Sequence, residues 1–461
     1  MSDADFDILS RDELRALVRQ LDAQVVALTA EVERLTRSGK RQAAPFSKGT
    51  RVETPKRPGR KPGQGLFRRR EAPPTEALSE PPIDVPVEEP ACPRCGGELD
   101  DARIEEASVT ELPEVVRPRV RLFRVAARRC RGCGRTVRGR HPEVAPDQRG
   151  ATADRLGSRI MAAAHHLHYG LGVTVRKLPE VLRLLTGVTV TQGAISRDAL
   201  RRAGGSVGTK YQELRNGVRD APSVHTDDTG WRVGGEPAWL MVFETDAATV
   251  YQVRPRHRNE EVRELVPADY AGVMSTDRGK SYDAVELSDV RQQKCLSHAQ
   301  RSLSDVLETK TGRARWFATT LKTLLKDAVA LWHERRAGPT AEFAARAHQL
   351  VMAVTDHLRD RWLSDQDNQR LLNELGRHHD AGSLLRFLHD PGIEPTNNRA
   401  ERALRPAVIA RKVSQCTKNA RGTQAFEAWT SVLRTLARTL RGSALLDAVV
   451  QLLHPTAAQP V

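Results

Sequence analysis

Three places in the chain put carboxylates where a metal ion could use them. Asp227 and Asp228 lie in HTDDTGW, Asp277 lies in STDRG, and Glu401 follows Thr396, Asn397 and Asn398. Strand-like runs at 223–226 and 272–276 lead into the aspartates, and the stretch holding Glu401 reads as a helix. Acids that end adjacent strands converge on one side of a sheet, and a Glu from a helix packed there can complete the cluster. Close carboxylates repel one another and their pKa values rise unless divalent cations remove that cost. Two such ions about 4 Å apart can activate a water or a 3′-hydroxyl and stabilise the leaving oxygen of a phosphodiester. Mg²⁺ suits an all-oxygen site, with Mn²⁺ as a substitute. Taken singly, each acid also reads as a helix cap or a solvated turn.

A second set of ligand types stands upstream. Cys92 and Cys95 form one CxxC pair and Cys130 and Cys133 another, each followed by glycine. Each pair can close a knuckle whose backbone N–H groups point at the sulfurs, and two knuckles supply four thiolates to a tetrahedral structural Zn²⁺. Four protein ligands leave no open position, so such a zinc is structural. The strand-like stretch 120–125 runs up to the second knuckle, which fits a zinc ribbon. The other reading of the pairs is redox-active cysteines.

The elements that position these residues follow in order. Leu14, Leu21, Leu28 and Leu35 recur every seven residues, with Val18, Val25 and Val32 four residues after the first three. Val at a and Leu at d over about 11–37 predicts a parallel two-stranded coil. An amphipathic helix packed on its own domain is the alternative. Residues 40–70 hold eleven basic residues and one acid, and their Pro- and Gly-rich pattern predicts disorder in isolation. Within them Arg57, Arg60 and Lys61 form either a minor-groove hook or a solvated linker touching phosphates. Residues 71–90 reverse the sign, with six acids and six prolines, as a stiff acidic spacer.

From 150 to 205 the pattern is three helices, with Leu178, Val181, Leu182 and Leu185 as one apolar stripe and Gly187 as its stop. That arrangement reads as helix-turn-helix or as an ordinary all-α subdomain. His165, His166 and His168 read as a helix face. Strand-like runs follow from 221, helical sequence from about 297 to 388, then the loop PGIEPTNN and further helices to about 454. This order predicts a mixed α/β domain with an α-helical insertion.

Composition narrows the partners. The 461 residues carry a net charge of +15, which favours a polyanion, nucleic acid before an anionic membrane. No apolar run reaches the length of a membrane span, and the acidic N-terminus lacks a secretory pattern, so an integral membrane protein and a secreted one are disfavoured.

The segments HTDDTGWRV, STDRGKSYDA, KCLSHAQRS and PTNNRAERALRPAVIARKVSQ resemble the signature blocks of the IS66-family transposases. The upstream order of heptad helix, RPGRKPGQ segment, paired CxxC and helices is also similar, so the likeness covers nearly the whole chain. It implies a multidomain α/β protein: an RNase H-like DDE catalytic domain with an α-helical insertion, preceded by coiled coil, zinc ribbon and helical DNA-binding region. The segments would be a coil at 1–39, a basic then acidic linker at 40–90, the ribbon at 91–145 and the helix-turn-helix-like region at 146–210. The catalytic core would run over 211–302 and 391–440, interrupted by the insertion at 303–390, with a helix and tail at 441–461. By carry-over the triad is Asp227, Asp277 and Glu401. Asp228 stands where the family usually has Glu, and Leu296 where it has an aromatic residue.

Cys295 and His298 form a CxxH pair of a kind seen near the active site in several DDE transposases. The resemblance gives His298 a supporting role, against the alternative of a core cysteine and a satisfied histidine. Asn397 and Asn398 can cap the helix bearing Glu401. Arg402, Arg405, Arg411 and Lys412 then either clamp DNA phosphates or form a solvated basic face.

The leading expectation is a DNA transposase that binds terminal inverted repeats, exposes 3′-hydroxyls by metal-assisted hydrolysis and joins them to target DNA. Its partners would be double-stranded DNA, a second copy of itself or a higher oligomer, and small accessory proteins encoded beside it. Its place would be the bacterial cytoplasm, on the nucleoid when bound to DNA. The alternatives are a non-catalytic zinc-containing DNA-binding regulator or decayed transposase, and an RNase H-like nuclease that cuts without joining.

Overall fold

The computed structural model describes residues 81–100, 118–141, 144, 156–335, 340–359, 361–390 and 392–453, with nine positions between 16 and 28. The basic segment with Arg57, Arg60 and Lys61, and most of the heptad helix, lie outside the described residues. The positions described between 16 and 28 are helical, with Leu21 and Leu28 of the seam exposed. The chain divides into two units, Phe46–Arg119 and the remainder.

In the smaller unit Cys92 opens a tight turn. Its N–H donates to the Gly97 carbonyl at 2.9 Å, and Gly96 N–H returns to the Cys92 carbonyl at 2.8 Å. In the larger unit Cys130 repeats these bonds at the same offsets, to Arg135 at 2.8 Å and from Gly134 at 3.0 Å. Gly96 and Gly134 both take positive φ, 72° and 69°, which glycine adopts without a Cβ penalty. The second turn joins a short antiparallel hairpin, β1 (Ala127–Arg129) and β2 (Thr136–Arg138). The strand therefore begins after the 120–125 stretch, where the hairpin partner is available.

Four helices lead into the sheet: α1 (Ser158–His165), α2 (Leu178–Thr186), α3 (Gln192–Ala203) and α4 (Ser206–Arg219). A single π-helical turn, His166–Gly170, extends α1. Gly187 ends α2 in the left-handed conformation, and Thr191 caps α3 by accepting from Ala194 N–H at 3.2 Å. Of the apolar stripe on α2, Leu178 and Leu182 are buried while Leu185 is exposed, because the covering residues Ala164, Val190 and Ile195 meet only the first two turns. The histidines belong to a packed helix face. His165 Nε2 is 2.9 Å from Asp198, and His168 Nδ1 is 2.7 Å from the Val173 carbonyl.

The sheet has five strands: β3 (Ser223–Val233), β4 (Glu236–Glu244), β5 (Thr249–Arg254), β6 (Val273–Thr276) and β7 (Arg291–Lys294). Their order is β5-β4-β3-β6-β7. The first three are antiparallel neighbours, whereas β6 runs parallel to β3 and β7 parallel to β6. Gly234 and Gly235, both at positive φ, close the β3–β4 hairpin. One correction concerns the first acids. They do not end β3 but sit within it, because β4 keeps pairing to Val233 while β6 pairs only as far as His225.

Helices α6 (Leu296–Thr309), α7 (Trp316–Glu334), α8 (Ala341–Leu358) and α9 (Gln366–Asp380) come between β7 and the last helices; the short α5 (Asn259–Arg263) precedes β6. These four, with 384–393, share one apolar core that reaches the sheet at Val273. Then α10 (Asn398–Ser414) packs Ala400, Leu404 and Ala407 on Trp231, Leu240, Val242 and Tyr251, covering one sheet face. On the opposite face α11 (Ala420–Leu436) and α12 (Gly442–Leu453) share a core with α1, α3 and α4 around Val224, Phe243 and Met274. Among the described residues no helix is long and apolar enough to cross a membrane.

Candidate active site

Strand periodicity separates the two adjacent aspartates. Asp227 pairs with Val242, whose side chain lies under α10, so Asp227 points to the face that α10 covers. Asp228 pairs with Met241 and points to the other face, where His257 Nδ1 approaches its Oδ1 at 3.2 Å. The parallel register ends with His225 opposite Ser275, and Asp277, two residues on, is near enough for its charge to act on Asp227. Asp277 follows β6 directly. Gly279 N–H donates to its Oδ1 at 2.8 Å, and a Cβ at Gly279 would lie 2.9 Å from that oxygen.

Glu401 stands in the first turn of α10. Asn397 occupies the N-cap position, but its side chain does not cap the helix. Its Nδ2 donates to the Thr226 carbonyl at 2.7 Å, and its backbone N–H donates to Cys295 Sγ at 3.1 Å. These two bonds tie the start of α10 to the residue before Asp227 and to the end of β7, which brings Glu401 near enough for its charge to act on Asp227. His298 Nδ1 lies 3.9 Å from Glu401 Oε1. Cys295, His298 and Glu401 each offer one ligand atom within 4.8 Å of the others.

Burial is the first cause of both aspartate shifts. Burial, with the charges of Asp277 and Glu401, pushes Asp227 up to about 6, against the stabilising Asp228 N–H. Burial and the charges of Asp227 and Asp277 push Asp228 up to about 8. His298 is raised, first by its hydrogen bond with Cys295 and then by the carboxylates. Burial works against the Cys295 thiolate, but His298 and the Asn397 N–H outweigh it and hold the thiol below its ordinary value. Asp277 and Glu401 lie near enough for their charges to act on Asp227.

A pH dependence follows. With both carboxyls held above their unfolded value, the folded protein binds the extra protons. The stability that these two groups contribute is therefore full below about pH 4 and is lost as pH rises through 6 and then 8. The Asp227 contribution is on the order of 3 kcal/mol. In EDTA the melting temperature should fall as pH rises over this window, and Mg²⁺ should restore it more at pH 8 than at pH 5. A melting temperature indifferent to Mg²⁺ at pH 8 would count against cation binding here.

The other sequence-derived residues distribute as follows. Arg405 and Lys412 recur on the same stripe of α10 as Glu401, and Arg402 flanks it; all three are exposed. Arg411 turns towards β3, where its Nη1 donates to Thr229 Oγ1 at 2.8 Å and to the Gly230 carbonyl. The Cys92 thiol is lowered by the N–H groups of Arg94 and Cys95, and the Cys130 thiol by those of Cys133 and Gly132.

Sequence reasoning missed Asn397 as a tether, and it missed β7 altogether. Lys294, on β7, is buried, with its Nζ 2.7 Å from Asp283 and 3.3 Å from Thr276 Oγ1, one residue before Asp277. A polar run, RQQK, carries no strand signal, although its place beside the CxxH pair pointed to the region.

Comparison with known proteins bears on this geometry. The chain is 28% identical over 223 residues to the uncharacterized protein y4jD of Sinorhizobium fredii (strain NBRC 101917 / NGR234), an alignment covering 45% of this chain and 40% of that protein. The chain thus spans less than half the length of this relative. Residues 154–425, more than half of the chain and all of the carboxylate site, match the family model described as Transposase IS66 family. The chain belongs to the IS66 family of transposases.

Proposed function

We propose that this protein is a DDE-type DNA transposase that binds terminal inverted repeats, cuts DNA and transfers the strand through Asp227, Asp277 and Glu401. The observation that carries the reading is that Asp227, on the sheet face that α10 covers, lies within reach of the charges of Asp277 and Glu401 from two other elements, while burial first pushes it up to about 6. An RNase H-like core is supported by the β5-β4-β3-β6-β7 order and its mix of antiparallel and parallel pairs. The proposed segments are those given above, with α2 and α3 as the helix-turn-helix-like pair.

Asp227, Asp277 and Glu401 would hold two Mg²⁺ or Mn²⁺ ions, which supply charge compensation at the attacking and leaving oxygens. The Gly279 N–H fixes the Asp277 carboxylate, and the Asn397 tether fixes Glu401. His298, its protonated form favoured by Cys295, faces the same space and can donate to a phosphate oxygen. In cleavage a water oxygen bonds to phosphorus as the bond to the 3′-oxygen breaks. In joining, that 3′-oxygen bonds to a target phosphorus as the target's own 3′-oxygen leaves. Arg402, Arg405 and Lys412, with Arg57, Arg60 and Lys61, would contact DNA phosphates, while Arg411 also braces β3. The exposed seam residues Leu21 and Leu28 support a coil between two copies, which would hold two transposon ends together.

The test is a joining assay with purified protein, Mg²⁺, the DNA flanking its gene and a target plasmid. Covalent joining of 3′ ends supports the proposal. Cutting without joining points to a nuclease. Binding alone, with accessory proteins added, points to a regulator.

For zinc, the two knuckles repeat one turn geometry with lowered thiol pKa values, which suits thiolate ligands. We expect about one Zn²⁺ per chain by elemental analysis, falling towards zero in Cys130→Ser. Zinc-free wild type would remove the ribbon reading.

A further inference from the structure

The first turn of α10, the end of α11 and the β4–β5 connection enclose a cleft of about 510 Å³. Five arginines line it: Arg399, Arg402, Arg434, Arg438 and Arg441. Two of them are braced by acids. Arg399 pairs with Asp246 at 2.8 Å, and Arg438 pairs with Glu244 while its Nη2 donates to the Asp246 carbonyl at 2.9 Å. Arg402, Arg434 and Arg441 form no ion pair among the described residues, so three positive charges stand in excess. Arg434 is half-buried, where an uncompensated guanidinium is costly and an anion relieves that cost.

Two of the lining arginines, Arg399 and Arg402, stand two residues before and one residue after Glu401 on α10. No Phe, Tyr or Trp lines it, and His166 is the single ring among its lining residues, so guanidinium groups dominate the wall. Guanidinium forks match phosphate oxygens geometrically, and phosphates recur about every 3.4 Å of axis along one DNA strand. We infer that the cleft is a phosphate track for the DNA strand whose scissile bond lies at Asp227, Asp277 and Glu401. The inference rests on the transposase reading and extends it. Arg434 and Arg441 contact the phosphates next to the reacting one, independent of base sequence, and Arg399 and Arg438 shape the wall.

The experiment measures binding of a labelled duplex to the full chain in EDTA, by anisotropy, from about 50 to about 200 mM salt. Arg434→Gln with Arg441→Gln should lower the slope of log K against log salt by about 2, since each phosphate contact contributes about 0.9. Affinity should fall at least about tenfold, equally for end and unrelated sequences. Arg441→Gln alone, at an exposed position, should remove about 1 from the slope, and Arg434→Lys should keep the wild-type slope. An unchanged slope in the double variant overturns the cleft proposal, and if the wild type still joins ends, the transposase reading survives it. If the arginines set the slope but the wild type never cuts, the track stands and the chemistry falls. If the wild type binds no DNA, both fall.

Discussion

Asp227→Asn is expected to bind DNA and leave it uncut, whereas Asp228→Asn, one residue along, should cut at close to the wild-type rate. The two positions differ by a single step on β3, and a single step reverses the face. Asp227 lies on the side of α10 and Glu401, so replacing its carboxylate removes a donor from the proposed cation set. Loss of one preorganised electrostatic group in a buried site costs on the order of 10³-fold in rate. Asp228 faces His257 on the opposite side of the sheet, and asparagine preserves its shape there. The predicted change is within about threefold, the size of a loss of well under 1 kcal/mol. Cleavage rates of both variants, with DNA affinity measured alongside, decide the matter. Equal losses would mean that sheet face does not govern which aspartate serves the chemistry. A cutting-competent Asp227→Asn would end the triad assignment.

Trp429→Ala should be the most damaging core substitution. Trp429 is fully buried on α11, between the sheet and the N-terminal helices. Its indole N–H donates to the Ala199 carbonyl of α3 at 3.1 Å. Its ring stacks with Tyr169 at a centroid distance of 5.9 Å and meets His165 at 4.3 Å. Truncation leaves a cavity and an unpaired carbonyl, for a loss of roughly 3–5 kcal/mol. The melting temperature should drop by about 10 °C, and Trp429→Phe should recover part of it. Because α3 and the sheet meet through this residue, proteolysis between α4 and β3 should accelerate as well. A melting temperature within about a degree of wild type would show that helices and sheet do not depend on a common core.

Much of the local structure was legible. The Gly187 stop, four strands of the five-stranded sheet, the helical stretch after them and a helix after PTNN all follow from periodicity and from residues with strong backbone preferences. The extent of β3 was not legible. TDDTG has turn chemistry, and only nine residue pairs with β4 hold it extended to Val233. β7 was hidden for a related reason. Gln293 is buried because its amide bonds the Leu384 carbonyl and Phe387 N–H, both at 3.0 Å and about ninety residues away. Such a strand is stabilised by partners that no local window contains.

The site divides along the same line. The sequence by itself determined which acids were available, Asp227, Asp228, Asp277 and Glu401, and that the CxxC turns would have glycines free to take positive φ. It also determined the alternation that sends neighbouring strand residues to opposite faces. Only the tertiary structure decided which aspartate shares a side with Glu401, because that depends on which sheet face α10 covers. It also turned Asn397 from an expected cap into a tether, and gathered arginines from the start of α10 and from the end of α11 and beyond into one cleft. The physical reason is common to all three. Chemical type and backbone preference are local properties, whereas facing, burial and charge excess are set by contacts between segments 100 or more residues apart.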